Sequence, residues 1–301
     1  MNELLTMSGD LAGLIESAGT GVVGVEAGRR SRGTGVGWSS DGVIVTADHV
    51  IHHEEGIQVR LADGQEIPAT LVGRDPTTDI AVLRVRDAAV KALRWGEPSS
   101  LKVGNLVLAL GRPGRTLRAT IGIVSVLGDA WQTSAGGRID RYLEADVALY
   151  PGFSGGPLID VAGNVHGINT AGLRRGGSLT VVTPTIRRVV EALVAHGRIR
   201  RGYLGIATQP VRLAPALAER VQQRRGLLVI EVEPGSPAEQ GGLLLGDTLL
   251  QVADQPVRYP EELFGLLGGD RIGAPLAVRV LRAGAPQELS VTVGERLRKS
   301  A

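Results

Sequence analysis

From about residue 20 to about 185 the chain alternates short Val- and Ile-rich runs with Gly, Asp and Pro turns, and no other feature constrains the fold as much. The runs include Val22–Val25, Gly42–Thr46, Ile57–Leu61, Ile80–Val85, Leu106–Leu110 and Ile121–Val126. Such runs, rich in β-branched residues and bounded by turn formers, are too short for helices and fit strands. About 165 residues carrying about twelve strands suit two small barrels better than one. Pro98-Ser99-Ser100 is the expected joint between them.

The flanks read differently. Leu4, Leu5, Leu11, Leu14 and Ile15 are interrupted by Ser8-Gly9-Asp10, which predicts an N-terminal helical segment within 1–19, with Asp10 capping a helix over about 11–18. Thr183-Pro184 opens a second helix, with Ile186, Val189, Val190, Leu193 and Val194 on one face and Gly197 as its terminating glycine. Arg198–Gly202 reads as a linker, so one domain is expected over 20–197 and another over 202–295. The second alternates strands near 226–232, 246–252, 275–282 and 288–293 with helices starting at Ser236-Pro237 and at Glu261, plus one over 215–223.

The stretch Tyr150-Pro151-Gly152-Phe153-Ser154-Gly155-Gly156-Pro157-Leu158 sets a serine among glycines. A nucleophilic serine needs such a setting, because larger side chains crowd both substrate and the backbone N–H groups that must meet a developing oxyanion. Serine also needs a base and a group that orients the base. Of five histidines, His49 ends the apolar run Val45–Ile51, where a base can face a cleft. Asp79 opens the hydrophobic run Ile80–Leu83, a place where a carboxylate is costly unless hydrogen-bonded; Asp48 and Asp75 are its rivals.

T-A-D-H-V-I, T-T-D-I-A-V-L and G-F-S-G-G-P-L, in this order and spacing, resemble the three catalytic motifs of trypsin-like serine proteases of the HtrA/Deg branch; Gly122–Ser125 and Gly167–Ala171 add to the likeness. The resemblance implies a mainly β, two-barrel chymotrypsin-like protease domain, with His49 as general base, Asp79 as its orienter and Ser154 as nucleophile. The N–H groups of Gly152 and Ser154 would form the oxyanion hole, and Thr170, Ala171 and Gly172 would pair with the substrate backbone. It also implies unfolded polypeptide substrates and a homotrimer. By position, Leu149, Leu173 and Leu179 would wall the specificity pocket, with Ala148 at an uncharged floor. A buried cationic side chain would find no partner there, so cleavage after Val, Ala or Leu is expected.

Gly202-Tyr203-Leu204-Gly205-Ile206, followed by Ser236-Pro237-Ala238 and Gly246-Asp247, resembles a bacterial PDZ domain, an α+β module. The resemblance implies that Tyr203, Leu204, Gly205 and Ile206 hold a peptide C-terminus, with Leu263 and Leu266 lining a side-chain pocket. The sequence departs from the protease pattern at Phe153 and Tyr150-Pro151, where the family usually has Asn. These bulky residues are expected to narrow the cleft, and the Pro151–Gly152 peptide is expected to flip between two orientations.

Composition narrows the alternatives. Aromatics are only 3% and the net charge is +2, which argues against a nucleic-acid platform. Cysteine is absent, so disulfides and thiolate metal sites are excluded. His49, His52, His53 and Glu54 lack the H-E-x-x-H spacing, and no metal or other cofactor is expected. No run reaches membrane-spanning length. Met1–Leu5 has neither a basic nor an apolar leader region, which predicts a cytoplasmic protein, or an extracytoplasmic one if an export segment is missing. The competing functional reading is a proteolytically silent chaperone or peptide-binding scaffold.

Overall fold

The computed structural model describes residues 2–28, 32–86, 90–173 and 179–295. The chain divides into two compact units, with the boundary between Ile199 and Arg200.

The first unit opens with α1 (Asn2–Gly19). It runs unbroken through Ser8-Gly9-Asp10, so Asp10 lies inside a helix and caps nothing. Leu11, Leu14, Ile15 and Ala18 pack on Val22, Leu108 and Ile159, and this burial holds the helix past its weak glycine. Six strands follow: β1 (Val22–Glu26), β2 (Arg32–Gly37), β3 (Val43–Thr46), β4 (Gln58–Arg60), β5 (Glu66–Asp75) and β6 (Ile80–Val85). They close into an antiparallel barrel in the order β1-β2-β3-β6-β5-β4.

Alternation along these strands explains why so many of their residues are buried on both sides. Ile44, Ala81 and Leu83 fill the barrel interior with Val25 and Val59. Their neighbours Val43, Val45, Ile80 and Val82 point the other way and pack against the second half of the unit. A strand buried on both faces must be apolar throughout, which is how the Ile80–Val85 run reads.

A 3₁₀ turn at Pro98–Ser100 joins the halves. The second half contains β7 (Leu106–Gly111), β8 (Arg118–Leu127), the short hairpin β9 (Trp131–Gln132) and β10 (Arg138–Ile139), then β11 (Leu143–Ala145), β12 (Pro157–Asp160), β13 (Val165–Thr170) and β14 (Leu179–Val182). Six of these form one antiparallel barrel-like sheet in the order β11-β8-β7-β12-β13-β14. The unit ends in α2 (Thr183–His196), stopped at Gly197 in the left-handed conformation, whose N–H donates to Leu193 O at 2.7 Å. Ile186, Val189, Val190 and Leu193 are buried as the spacing predicts, but Val194 faces solvent.

The second unit contains β15 (Gly202–Tyr203), β16 (Ile206–Arg212), α3 (Pro215–Val221), β17 (Arg225–Val232), α4 (Pro237–Gln240), β18 (Thr248–Val252), β19 (Gln255–Pro256), α5 (Pro260–Leu266), β20 (Pro275–Arg282), β21 (Ala285–Thr292) and β22 (Gly294–Glu295). Its main sheet has the order β16-β17-β18-β20-β21, which leaves β16 as an edge strand. Ser236 caps α4, its Oγ accepting from Glu239 N at 3.2 Å. Leu227, Val229, Leu249, Val278 and Val280 form the core with Leu263 and Leu267 of the α5 region. Asp247, with its side chain only 1% exposed, ion-pairs with Arg282 at 2.7 Å.

Candidate active site and peptide groove

β3 ends at Thr46, and Asp48–Val50 form a single 3₁₀ turn, so His49 stands on a turn rather than at a strand end. Across from it, Asp79 immediately precedes β6 with φ +56°, a left-handed conformation that costs a non-glycine residue. The turn before it explains why the conformation persists. The buried Asp75 carboxylate accepts from Thr77 N at 3.1 Å, Thr77 Oγ1 at 2.8 Å and Thr78 Oγ1 at 2.8 Å. Thr133 Oγ1, beside the β9–β10 hairpin, donates to Thr77 O at 2.7 Å. The turn is therefore locked from within and braced from outside.

Asp79 grips His49 twice. Oδ2 accepts from the ring Nδ1 at 2.8 Å, and Oδ1 accepts from the His49 backbone N–H at 2.9 Å. Thr170 Oγ1 also donates to Asp79 Oδ2 and accepts from Gly172 N at 2.8 Å. The hydrogen bond from Asp79 raises the His49 pKa above its ordinary value, partial burial opposes this, and the charges of Asp79 and Asp48 add to it. An imidazole held by Nδ1 keeps Nε2 as its proton acceptor. The two rival carboxylates are otherwise engaged: Asp75 builds the turn, and Asp48 pairs with Arg74, which also approaches Glu54 at 3.6 Å.

The serine loop meets this dyad at the end of β3. Thr34 N donates to Ser154 O at 3.0 Å, and Gly155 N donates to Asn169 O at 2.8 Å. A Cβ on Gly155, where φ is +84°, would lie 2.5 Å from Thr46 Oγ1 and 2.9 Å from Ala47 N. Only glycine lets the loop come so near the turn that carries His49. Among the described residues, neither the hydroxyl nor the N–H of Ser154 has a hydrogen-bond partner, and the N–H of Gly152 has none either.

Tyr150–Phe153 form a turn closed by Phe153 N donating to Tyr150 O at 3.0 Å, with Pro151 second and Gly152 third at φ +87°. These are the residues of a type II turn. Its far side is pinned: Thr34 Oγ1 donates to Gly152 O at 2.6 Å and accepts from Arg112 N at 2.8 Å. Phe153 does not narrow the cleft. Its ring is fully buried in the core against Gly111, where a Cβ would come within 2.9 Å of it. Tyr150, 55% exposed, and Pro151 remain outside, with the Tyr150 ring edge-on to Phe153 at a centroid distance of 6.0 Å.

The other site candidates separate into distinct positions. Thr170 is fully buried and its side chain faces Asp79 rather than the cleft. β13 stops at Thr170, leaving Ala171 and Gly172 exposed beyond it. A Cβ on Gly172 would lie 2.7 Å from both Asp79 Oδ2 and His49 Nδ1, so this glycine covers the dyad at contact distance. Leu149 and Leu173 are half-buried at the rim of the core, and Leu179 is buried in β14. Thr34 was invisible in the sequence: it is one threonine in a Gly-rich strand, and its partners lie 78 and 118 residues away. His52 and His53 are exposed, and among the described residues no three His, Cys, Asp or Glu side chains are placed to hold a metal ion.

In the second unit, Leu204 O accepts from Ala238 N and Gly205 O accepts from Glu233 N, each at 2.8 Å. Their own N–H groups have no partner among the described residues, and Gly205 has φ +84°. Carbonyls held from behind leave two donors free at the start of edge strand β16, a concavity suited to a carboxylate. Tyr203 lies in β15, its hydroxyl bonded to Glu233. Ile206 is half-buried, Leu263 is in the core, and Leu266 is half-buried on α5.

Known proteins resemble this chain in both units. Residues 33–168 match the model of the trypsin-like peptidase domain, and residues 202–293 match the PDZ domain. A protein of Ectopseudomonas mendocina named "Probable periplasmic serine endoprotease DegP-like" is 36% identical over 271 residues, covering 88% of this chain and 56% of that protein. One of the same name from Chlamydia pneumoniae is 33% identical over 270 residues, 88% and 55% of the two chains. The chain thus spans about half the length of the curated relatives it matches. Among solved structures, the HtrA-type protease AlgW with a tripeptide superposes with a TM-score of 0.76 at 32% identity, covering 96% of this chain and 98% of that one. The serine endoprotease from Yersinia pestis gives 0.75 at 30%, covering 94% and 97%. No helix among the described residues is long and apolar enough to cross a membrane.

Proposed function

Because the chain belongs to the HtrA-type family of trypsin-like serine proteases that carry a PDZ domain, we propose that it is a serine endopeptidase acting on unfolded polypeptides. The observation that carries the reading is the double grip of Asp79 on His49, at the ring Nδ1 and at the backbone N–H. His49 Nε2 takes the proton of Ser154 as its Oγ attacks the scissile carbonyl, and later passes that proton to the leaving amine. Asp79 holds the tautomer and stabilises the imidazolium. The carbonyl oxygen, now negative, accepts from the N–H groups of Gly152 and Ser154, which have no partner among the described residues. Water then repeats the sequence on the acyl-enzyme.

Leu149, Leu173 and Leu179 form an uncharged pocket in this reading and select Val, Ala or Leu before the cleaved bond. Cleavage mainly after Arg or Lys would refute that selectivity. The Pro151–Gly152 peptide flips in this reading; a donor-inward peptide both with and without bound inhibitor would count against it. The free N–H pair of Leu204 and Gly205 takes a peptide's C-terminal carboxylate, and the peptide lies along β16 with α5 on its other side, Ile206 and Leu266 receiving its last side chain. The relatives named periplasmic favour an extracytoplasmic site of action over a cytoplasmic one. Assembly as a homotrimer is checked by mass in solution.

The test is labelling with a serine-directed fluorophosphonate alongside casein turnover, with Ser154→Ala as control. Labelling and turnover that both vanish in Ser154→Ala support the endopeptidase. A parent chain that neither labels nor cleaves, yet protects an unfolded client, returns the scaffold reading. Burial of Phe153 weighs against that second reading, because its ring leaves the cleft unobstructed.

A further inference from the structure

The excursion between β16 and β17, which contains α3, borders two open recesses of about 750 Å³ and 530 Å³ that share Gln222, Gln223 and Arg224. Six arginines line them, Arg212, Arg220, Arg224, Arg225, Arg258 and Arg279, against a single carboxylate, Glu219. Most of this charge is not spent within the protein. Arg258 approaches Glu262 at 3.6 Å, and Arg220 donates to Gly284 O. Arg225 donates to Tyr259 OH at 2.7 Å. The guanidinium groups of Arg212, Arg224 and Arg279 have no hydrogen-bond or ion-pair partner among the described residues. Like charges gathered without counter-ions repel one another, and an anion relieves that cost.

The larger recess is placed by the strand that carries the peptide groove. β16 starts at Ile206, next to the free N–H pair, and ends at Arg212, which sits opposite Arg225 in the β16–β17 register. Six residue steps at about 3.3 Å put Arg212 about 20 Å from the carboxylate end. A strand added antiparallel to β16 therefore brings residues about five to seven from its C-terminus beside Arg212, Arg224 and Arg225. Backbone pairing cannot hold those residues alone, because Pro210 in β16 has no N–H to offer. Side-chain charge has to do it. Arg225, through its hydrogen bond to Tyr259 at the start of α5, ties the recess to the helix on the other side of the groove.

We infer that this arginine-lined end of β16 is a second subsite for peptides, selecting chains that carry Asp or Glu about five to seven residues before an apolar C-terminus. This rests on the C-terminus reading given above and specifies which C-termini are preferred. Charge complementarity favours an acidic peptide, and continuity with the β16 edge favours one chain engaging both places at once.

The test uses the full chain with Ser154→Ala, so that peptide is not consumed, and two fluorescein-labelled decapeptides. Both end in the same apolar tetrapeptide; positions five to seven from the end are Asp-Glu-Asp in one and Asn-Gln-Asn in the other. Fluorescence anisotropy at low salt should give about tenfold tighter binding of the acidic peptide. That advantage should shrink in 1 M salt, where the screening length falls to about 3 Å. Arg212→Gln with Arg224→Gln should bring the two affinities together while leaving the neutral peptide unchanged. Equal binding of both peptides overturns the subsite but leaves the C-terminus reading standing. An advantage that survives the double substitution also overturns it. If neither peptide binds, the C-terminus reading falls, and the subsite with it. If the peptides are not distinguished but anionic vesicles bind and lose binding in the double variant, the patch is a lipid-surface site and the peptide subsite is wrong.

Discussion

Thr34→Val is the substitution most diagnostic of how the serine loop is held. The Thr34 hydroxyl donates to Gly152 O at 2.6 Å and accepts from Arg112 N at 2.8 Å, and the residue is fully buried. Valine keeps the shape but leaves Gly152 O and Arg112 N without that partner. Each buried polar group left unsatisfied costs about 1–3 kcal/mol, so with two such groups the first unit should lose about 2–6 kcal/mol. The more telling effect is local. With Gly152 O released, the turn that carries the Gly152 N–H, the proposed oxyanion donor, is held less firmly. Full loss of one such donor costs about 10²–10³ in rate, so a partly misplaced one should lower kcat about 10- to 100-fold. Substrate binding depends little on that donor, so KM should change less than about threefold. Thr34→Ser, which restores the hydroxyl, should recover most of kcat. Steady-state kinetics on a fluorogenic peptide, with active sites counted by fluorophosphonate, separates fewer active molecules from slower ones. Thr34→Val with a lowered melting temperature but wild-type kcat per active site would refute the reasoning and leave Thr34 a structural residue only.

Other expectations follow from the same geometry. The raised pKa of His49 means that neutral imidazole is lost while the pH is still above about 6.5, the ordinary histidine value; the acid limb of kcat/KM should have its midpoint above that value. Asp79→Asn should move that limb to lower pH and reduce kcat by about 10³–10⁴, since the tautomer is no longer held; an unmoved limb would show that another group sets it. Gly172→Ala should displace the imidazole, its new methyl meeting His49 Nδ1 at 2.7 Å, and cut kcat at least about tenfold without unfolding the unit by circular dichroism. In the second unit, burial alone would raise the Asp247 pKa, but hydrogen bonds from Arg282 and the Leu244 N–H hold it below its ordinary value. Its stabilisation is therefore present above the unfolded value of 3.8 and lost as pH falls through the lower folded one. Asp247→Asn should destabilise this unit by about 1–3 kcal/mol at neutral pH, because it weakens the charge-assisted hydrogen bonds from Arg282, which stays partly exposed and bonded to Gly242 O, and calorimetry across pH 2–7 would show the acid-dependent part removed.

Short-range signals in the sequence translated well. Val/Ile runs between turn formers became the strands of a barrel and a barrel-like sheet, and Gly197 ended α2 in the left-handed conformation that glycine tolerates. Signals that depend on packing did not. Asp10 looks like a helix cap, yet burial of Leu11, Leu14 and Ile15 carries α1 straight past it. His49 looks like the end of a strand, yet it stands in a 3₁₀ turn closed by Val50 N donating to Ala47 O at 3.2 Å and Ile51 N donating to Asp48 O at 2.9 Å. Phe153 looks like an obstruction, yet its ring fills the space left by the missing side chain of Gly111.

Residue types and their order along the chain were enough to single out Ser154, His49 and three aspartates, Asp79, Asp48 and Asp75, as candidates, because a nucleophile, a base and an orienting carboxylate each need a local setting that neighbouring residues supply. Which aspartate holds the imidazole, which threonines tether the carbonyls, and which glycines must have no side chain were decided only by the folded chain. Those choices depend on contacts between segments 30 to more than 100 residues apart, and a hydrogen bond or a van der Waals limit acts on distance in space, of which the order of residues carries no record.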